Sequence, residues 1–190
     1  MKLLPNIDWK KLYKPLVYST FGIYCFLLVW MVIFKCTLPN VFSLDFMSKP
    51  VAYRFERGIV PFSYSFYTFQ ALDMILNIVA FVPMGIYLPF MLKRRYAFPI
   101  IAVVSVTFEL IQLLTGFGWF DTLDIITNIA GGYIGIGIYT LLRPRIKDEI
   151  INKVNLYCTI IFGIIAIAVL IYIPIYFTIG DPFNENKVNY

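Results

Sequence analysis

The sequence predicts an all-α fold, a polytopic transmembrane bundle of about five spanning helices, and three observations lead to it. Of the 190 residues, 60% are hydrophobic and only 14% charged, whereas a soluble domain averages about 25% charged. The apolar residues fall into five runs, each close to the roughly 20 residues that a helix needs to cross a bilayer. Aromatic residues make up 18% of the chain, as expected where rings settle at membrane interfaces.

The five predicted spans are 16–34, 72–92, 98–114, 123–142 and 156–177. The first is too long for a cleavable signal peptide and lacks a small-residue cleavage site, so it is expected to be an anchor. No internal repeat or low-complexity tract is visible, and one membrane domain over 1–190 accounts for the whole length.

Lys and Arg beside the spans set the expected orientation. One side receives Lys2, Lys10, Lys11 and Lys14, then Lys93, Arg94 and Arg95, then Arg143, Arg145, Lys147 and Lys153. The other receives only Lys35, Lys49, Arg54, Arg57 and Lys187. The N-terminus is therefore expected in the cytoplasm and the C-terminus outside. The net charge of +5 follows from this placement, and nucleic acid is not expected as a partner. The one long connection, 35–71, is rich in Phe and Tyr, so it is expected to lie along the outer membrane surface or to cap a site there.

Histidine is absent, which removes the commonest metal ligand and the usual general base. Cys25, Cys36 and Cys158 match no zinc spacing. Chemistry therefore has to come from the polar residues inside the spans. Gln70, Asp73 and Asn77 share one face near the outer end of the second span. Ser105, Glu109 and Gln112 share a face on the outer half of the third, and Asp121, Asp124 and Asn128 open the fourth. Three helices thus bring polar groups to one level, where they can line a shared cavity.

A structural role competes for each. Asp121 and Asp124 suit a helix N-cap and first turn. Asn77, Gln112 and Asn128 suit interhelical hydrogen bonding. Glu109, an ionisable group inside a span, is the functional candidate by default. Gly131 and Gly135 have the spacing of close helix packing.

The segment ALDMILNIVAFVPMGIYLPF resembles the N-x-x-x-F-x-P-x-G-x-x-x-P segment of the VanZ-like family, through Asn77, Phe81, Pro83, Gly85 and Pro89. FELIQ resembles its E-x-x-Q, giving Glu109 and Gln112. GFGWFDTLDIITNIAGGYIG resembles its G-x-F-D-x-x-D-x-x-x-N-x-x-G-x-x-x-G, giving Gly118, Phe120, Asp121, Asp124, Asn128, Gly131 or Gly132, and Gly135. RGIVPF is similar to the segment that precedes the second span. Order and spacing agree over about 54–142, with 156–177 as an additional helix. Leu123 stands where many members have a second Asp, and RGIVPF lacks the usual Asn.

The resemblance implies a multi-pass protein of the bacterial inner membrane and a link to resistance against the glycopeptide teicoplanin. Three functions fit. In the first, an outer-leaflet cavity binds an amphiphile, a cell-wall lipid intermediate or a lipoglycopeptide, with Arg54 and Arg57 meeting phosphate or carboxylate. In the second, an enzyme acts on an envelope lipid, with Glu109 as general base and Asp121 and Asp124 as oxygen ligands for a divalent cation. In the third, Glu109 is the proton site of a small transporter. Membrane lipids are expected neighbours in each, and no resident cofactor is required.

Overall fold

The computed structural model describes residues 9–34, 50–52, 55, 68–115 and 120–179. Five long helices lie among these residues: α1 (Trp9–Phe34), α2 (Thr68–Met91), α3 (Ala97–Thr115), α4 (Thr122–Leu142) and α5 (Asp148–Ile179). A 3₁₀ turn at Arg94–Tyr96 joins α2 to α3. No strand occurs among the described residues. All five helices are long and apolar enough to cross a membrane, and the protein is a multi-pass membrane protein.

Helix starts depart from the sequence expectation more than helix ends do. α1 begins seven residues before the expected Leu16 and runs through Pro15. Proline inside a helix removes one backbone hydrogen bond, yet the turns on both sides of Pro15 are helical. α5 begins at Asp148 rather than Leu156. Asp148 and Glu149 sit in its first turn, where carboxylates suit the helix dipole. Lys153 Nζ lies 2.7 Å from Glu149 Oε1 one turn along. That charged turn extends the helix beyond its apolar run.

The connections 92–96 and 143–147 lie at one end of the bundle with the start of α1, and this is the basic end. Arg143 closes the α4–α5 turn by a 2.7 Å ion pair with Asp148. The topology predicts a labelling pattern. An impermeant thiol reagent on intact cells should reach Cys36, which lies outside the described residues, and should miss a Lys147→Cys variant until the cells are opened. The opposite pattern would invert the protein in the membrane.

α2 and α4 form the most extensive helix pair, and α1 with α5 the next. Glycines explain the first. A Cβ on Gly131 would lie 2.1 Å from the Ile78 carbonyl oxygen, and one on Gly135 would lie 2.1 Å from that of Val82. From the other side, a Cβ on Gly85 would lie 2.0 Å from the Gly132 carbonyl oxygen. The two backbones touch, and only glycine allows that approach.

The apolar core is built by Tyr24, Leu28 and Val32 of α1, Phe81, Met84 and Leu88 of α2, and Ile101 and Phe108 of α3. Phe81 and Phe108 meet edge to face at 6.2 Å. The buried Tyr24 hydroxyl donates to the Ala80 carbonyl at 2.7 Å and ties α1 to α2. Thr20 of α1 shares hydroxyl contact with Thr159 of α5 and reaches the Asn155 carbonyl at 3.3 Å. Polar bridges of this kind contribute about 0.6 kcal/mol each inside a membrane.

Candidate functional site

The end opposite the basic turns holds a buried polar cluster built from α2, α3 and α4. Each helix supplies one face. α3 brings Ser105, Glu109 and Gln112, all 0% exposed. α4 brings Asp124, Thr127 and Asn128, also buried. α2 brings the half-buried Asn77.

Hydrogen bonds join these faces. Asn77 Nδ2 donates to Asp124 Oδ1 at 2.7 Å, linking α2 to α4. Asn128 Nδ2 donates to Ser105 Oγ at 3.2 Å, linking α4 to α3. Ser105 Oγ in turn lies 3.5 Å from the Ile125 carbonyl. The Asp121 backbone N–H donates to Glu109 Oε2 at 2.8 Å. Asp121 Oδ1 accepts the Leu123 N–H at 2.8 Å and caps α4. Two carboxylates therefore hold the start of α4, one from its own cap and one from the neighbouring helix. Both suit the positive end of the helix dipole.

The rim and floor differ. Asn77 and Asp121 are half-buried and form the rim, while Glu109, Gln112 and Asn128 form the floor. At the floor, Gln112 Oε1 and Asn128 Oδ1 are buried and have no hydrogen-bond partner among the described residues. A buried polar atom without a partner is costly, about 1–3 kcal/mol. Two such acceptors, one from α3 and one from α4, lie at this site.

Gln112 takes a course the sequence does not suggest. Its Nε2 donates to the Val32 carbonyl of α1 at 2.8 Å, which brings α1 to the site as a fourth wall. A main-chain acceptor leaves no trace in the residue pattern. Thr127 is a further buried polar residue of α4, without a motif to mark it in the sequence. Its hydroxyl turns back onto the Leu123 and Asp124 carbonyls and stays within α4. Depth also differs. α2 begins at Thr68, so Asn77 lies about 14 Å along it at 1.5 Å per residue. It meets Asp124 in the first turn of α4 because α2 projects further at this end.

Arg54 and Arg57 lie outside the described residues, as does the side chain of Gln70. Phe55, beside Arg54 in sequence, packs on Phe120 with ring centroids 5.1 Å apart. One residue of the long connection thus stands next to the capped start of α4. Asp121 and Asp124, the expected oxygen ligands, each direct one oxygen to a hydrogen bond. Among the described residues, no three acidic, His or Cys side chains gather at metal-binding spacing.

Comparison with known proteins covers most of this architecture. The family model described as VanZ/LLP1 matches residues 21–143, from within α1 to the end of α4. The chain is also similar to Protein VanZ of Enterococcus faecium, 27% identical over 153 residues that cover 78% of this chain and 88% of that protein. No solved structure matches.

Proposed function

The chain belongs to the VanZ/LLP1 family, and on that premise we propose that it holds the polar part of an amphiphile at the buried cluster of α2, α3 and α4. The amphiphile would be a cell-wall lipid intermediate or a lipoglycopeptide, and the protein would contribute to teicoplanin resistance from the bacterial cytoplasmic membrane, with this cluster in the outer leaflet. The observation that carries this reading is the pair of unpartnered buried acceptors, Gln112 Oε1 and Asn128 Oδ1. Both proposed ligands carry hydroxyl and amide donors, and both have an apolar chain for the surrounding lipid. Asn77, Glu109 and Asp124 complete the polar surface. Arg54 and Arg57 are assigned to phosphate or carboxylate, which the contact of the intervening Phe55 with Phe120 supports.

Catalysis is the weaker reading. Glu109 Oε2 is committed to holding the Asp121 N–H at the start of α4, and the chain has no histidine to share the proton transfers. Proton-coupled transport is weaker still, because the buried carboxylates among the described residues, Glu109 and Asp124, both lie at one end of the bundle.

The test is equilibrium binding of purified protein to teicoplanin and to a lipid-linked cell-wall precursor, with susceptibility of producing cells as a second readout. Asn128→Leu has similar volume and removes the acceptor. It should weaken binding by about tenfold or more, the value of roughly 1.4 kcal/mol, and restore susceptibility. Gln112→Met should act in the same direction. Wild-type binding and resistance in both variants, at equal abundance, would sink the reading.

A further inference from the structure

At the basic end, far from the polar cluster, a cavity of about 300 Å³ opens between α2, α4 and α5. Its walls are apolar, with Ile86, Ile138, Ile151 and Phe162 prominent. Two lining residues are not. Arg143 stands at the basic end of the cavity, half-buried, with its guanidinium 5.9 Å from the Phe90 ring centroid. Asn155 lies deeper and is 4% exposed. The Tyr87 hydroxyl donates to Asn155 Oδ1 at 2.8 Å, which fixes the amide. The opposite atom, Nδ2, is a buried donor with no partner among the described residues.

We propose that this groove seats one acyl chain of an anionic phospholipid from the surrounding leaflet. Arg143 meets the lipid phosphate, and Asn155 Nδ2 donates to a glycerol ester carbonyl. The order of groups fits. Arg143 is held at Asp148, the first residue of α5, and Asn155 lies about 10 Å further along that helix at 1.5 Å per residue. In a bilayer the phosphate, the ester and the chain follow one another in the same direction. Charge also favours an anion. Lys93, Arg94, Arg95, Arg143, Arg145, Lys147 and Lys153 outnumber Asp148 and Glu149 at this end. Arg94 adds to this charge at the same end of α4, with its Nη1 3.2 Å from Thr140 Oγ1. Asp148 partly neutralises Arg143, but a guanidinium has five N–H donors, so the ion pair leaves donors for phosphate. The groove is apolar and open on one side between spanning helices, which makes a chain of the bilayer a more suitable occupant than a soluble ligand.

Native mass spectrometry of the full chain in detergent tests this with three lipids: diester phosphatidylglycerol, diester phosphatidylcholine and diether phosphatidylglycerol. Wild-type protein should retain one diester phosphatidylglycerol about tenfold better than the choline lipid, because both carry the phosphate that Arg143 meets but the choline cation is repelled by the basic residues of this end. It should retain the diether lipid, which lacks the ester carbonyl, less well. Arg143→Gln should weaken retention of phosphatidylglycerol by about tenfold, the size of one charge-assisted hydrogen bond. Ile151→Trp should fill the groove and release the lipid. Equal retention of the glycerol and choline headgroups by wild-type protein would overturn the proposal. So would wild-type lipid retention in either variant, and equal retention of diester and diether lipids would remove the Asn155 contact and the seating with it. If Ile151→Trp fails to fold, Arg143→Gln at the surface still decides.

Discussion

Adding one methyl group to Gly85, Gly131 or Gly135 is expected to abolish the folded protein. Each added Cβ would lie 2.0 or 2.1 Å from a carbonyl oxygen of the facing helix. A clashing side chain can rotate aside; a helix backbone cannot. Extra methylenes in a packed core cost about 1–3 kcal/mol, and here α2 and α4 must move apart along their main contact. Their separation also breaks the Asn77–Asp124 hydrogen bond. The loss should therefore reach about 3 kcal/mol or more, read as lost monodisperse protein and a lowered melting temperature. Gly132→Ala should be milder, because its Cβ would meet only the Ile101 side chain, at 2.6 Å. Gly137→Ala and Gly163→Ala should match wild type or exceed it. Nothing lies within 4 Å of either added Cβ, and alanine in a helix is better than glycine by up to about 1 kcal/mol. Equal stability of Gly131→Ala and Gly137→Ala would refute the packing account.

The second large effect concerns Glu109, where shape and charge can be separated. Glu109→Gln keeps an oxygen for the Asp121 N–H and nearly the same volume, so the protein should reach the membrane at normal abundance. Glu109→Ala removes that acceptor from a fully buried position. It should cost about 1–3 kcal/mol for the stranded donor, with a cavity penalty added. If the carboxylate serves function, Glu109→Gln should lose ligand binding by about tenfold or more and lose resistance with it. Asp124→Asn, which still accepts from Asn77, should behave alike. Asp121→Asn should be milder, since Asn caps a helix as well as Asp. Loss of activity with binding retained would shift the balance to catalysis. Wild-type function in Glu109→Gln, Asp124→Asn and Asp121→Asn together would leave all three groups as supports for α4.

The spans were legible because lipid leaves a strong mark on composition, and the apolar runs in 72–142 needed only small changes of boundary. α1 and α5 start earlier than expected because the spans are read from apolar runs, and the helical turns that hold Pro15 and the Asp148–Glu149 pair lie outside those runs. The polar faces of α2, α3 and α4 were legible from spacing alone, since residues three or four apart share a helix face. The partners on those faces were not. Nothing in the pattern tells that Gln112 turns to the Val32 carbonyl, or that Glu109 takes the Asp121 N–H. Backbone atoms are the same at every position, so a contact with one is invisible in a string of side chains. Gly131 and Gly135 signalled close packing, but Gly85, singled out in the family pattern without a packing role, proved to be the other half of that contact.

The glycine-to-carbonyl contact of α2 and α4 has a consequence for biogenesis. α4 carries Asp124, Asn128 and a strip of glycine, so alone it is the poorest guest for lipid among the five. Its best solvent is α2, which is synthesised first and is separated from it by α3. Membrane entry of α4 should therefore be a capture event: α2 waits at the insertion site until α4 emerges, and the pair leaves together. A defect in the α2 groove would then surface during synthesis, as a stalled or mis-threaded nascent chain that is degraded before a mature protein ever exists.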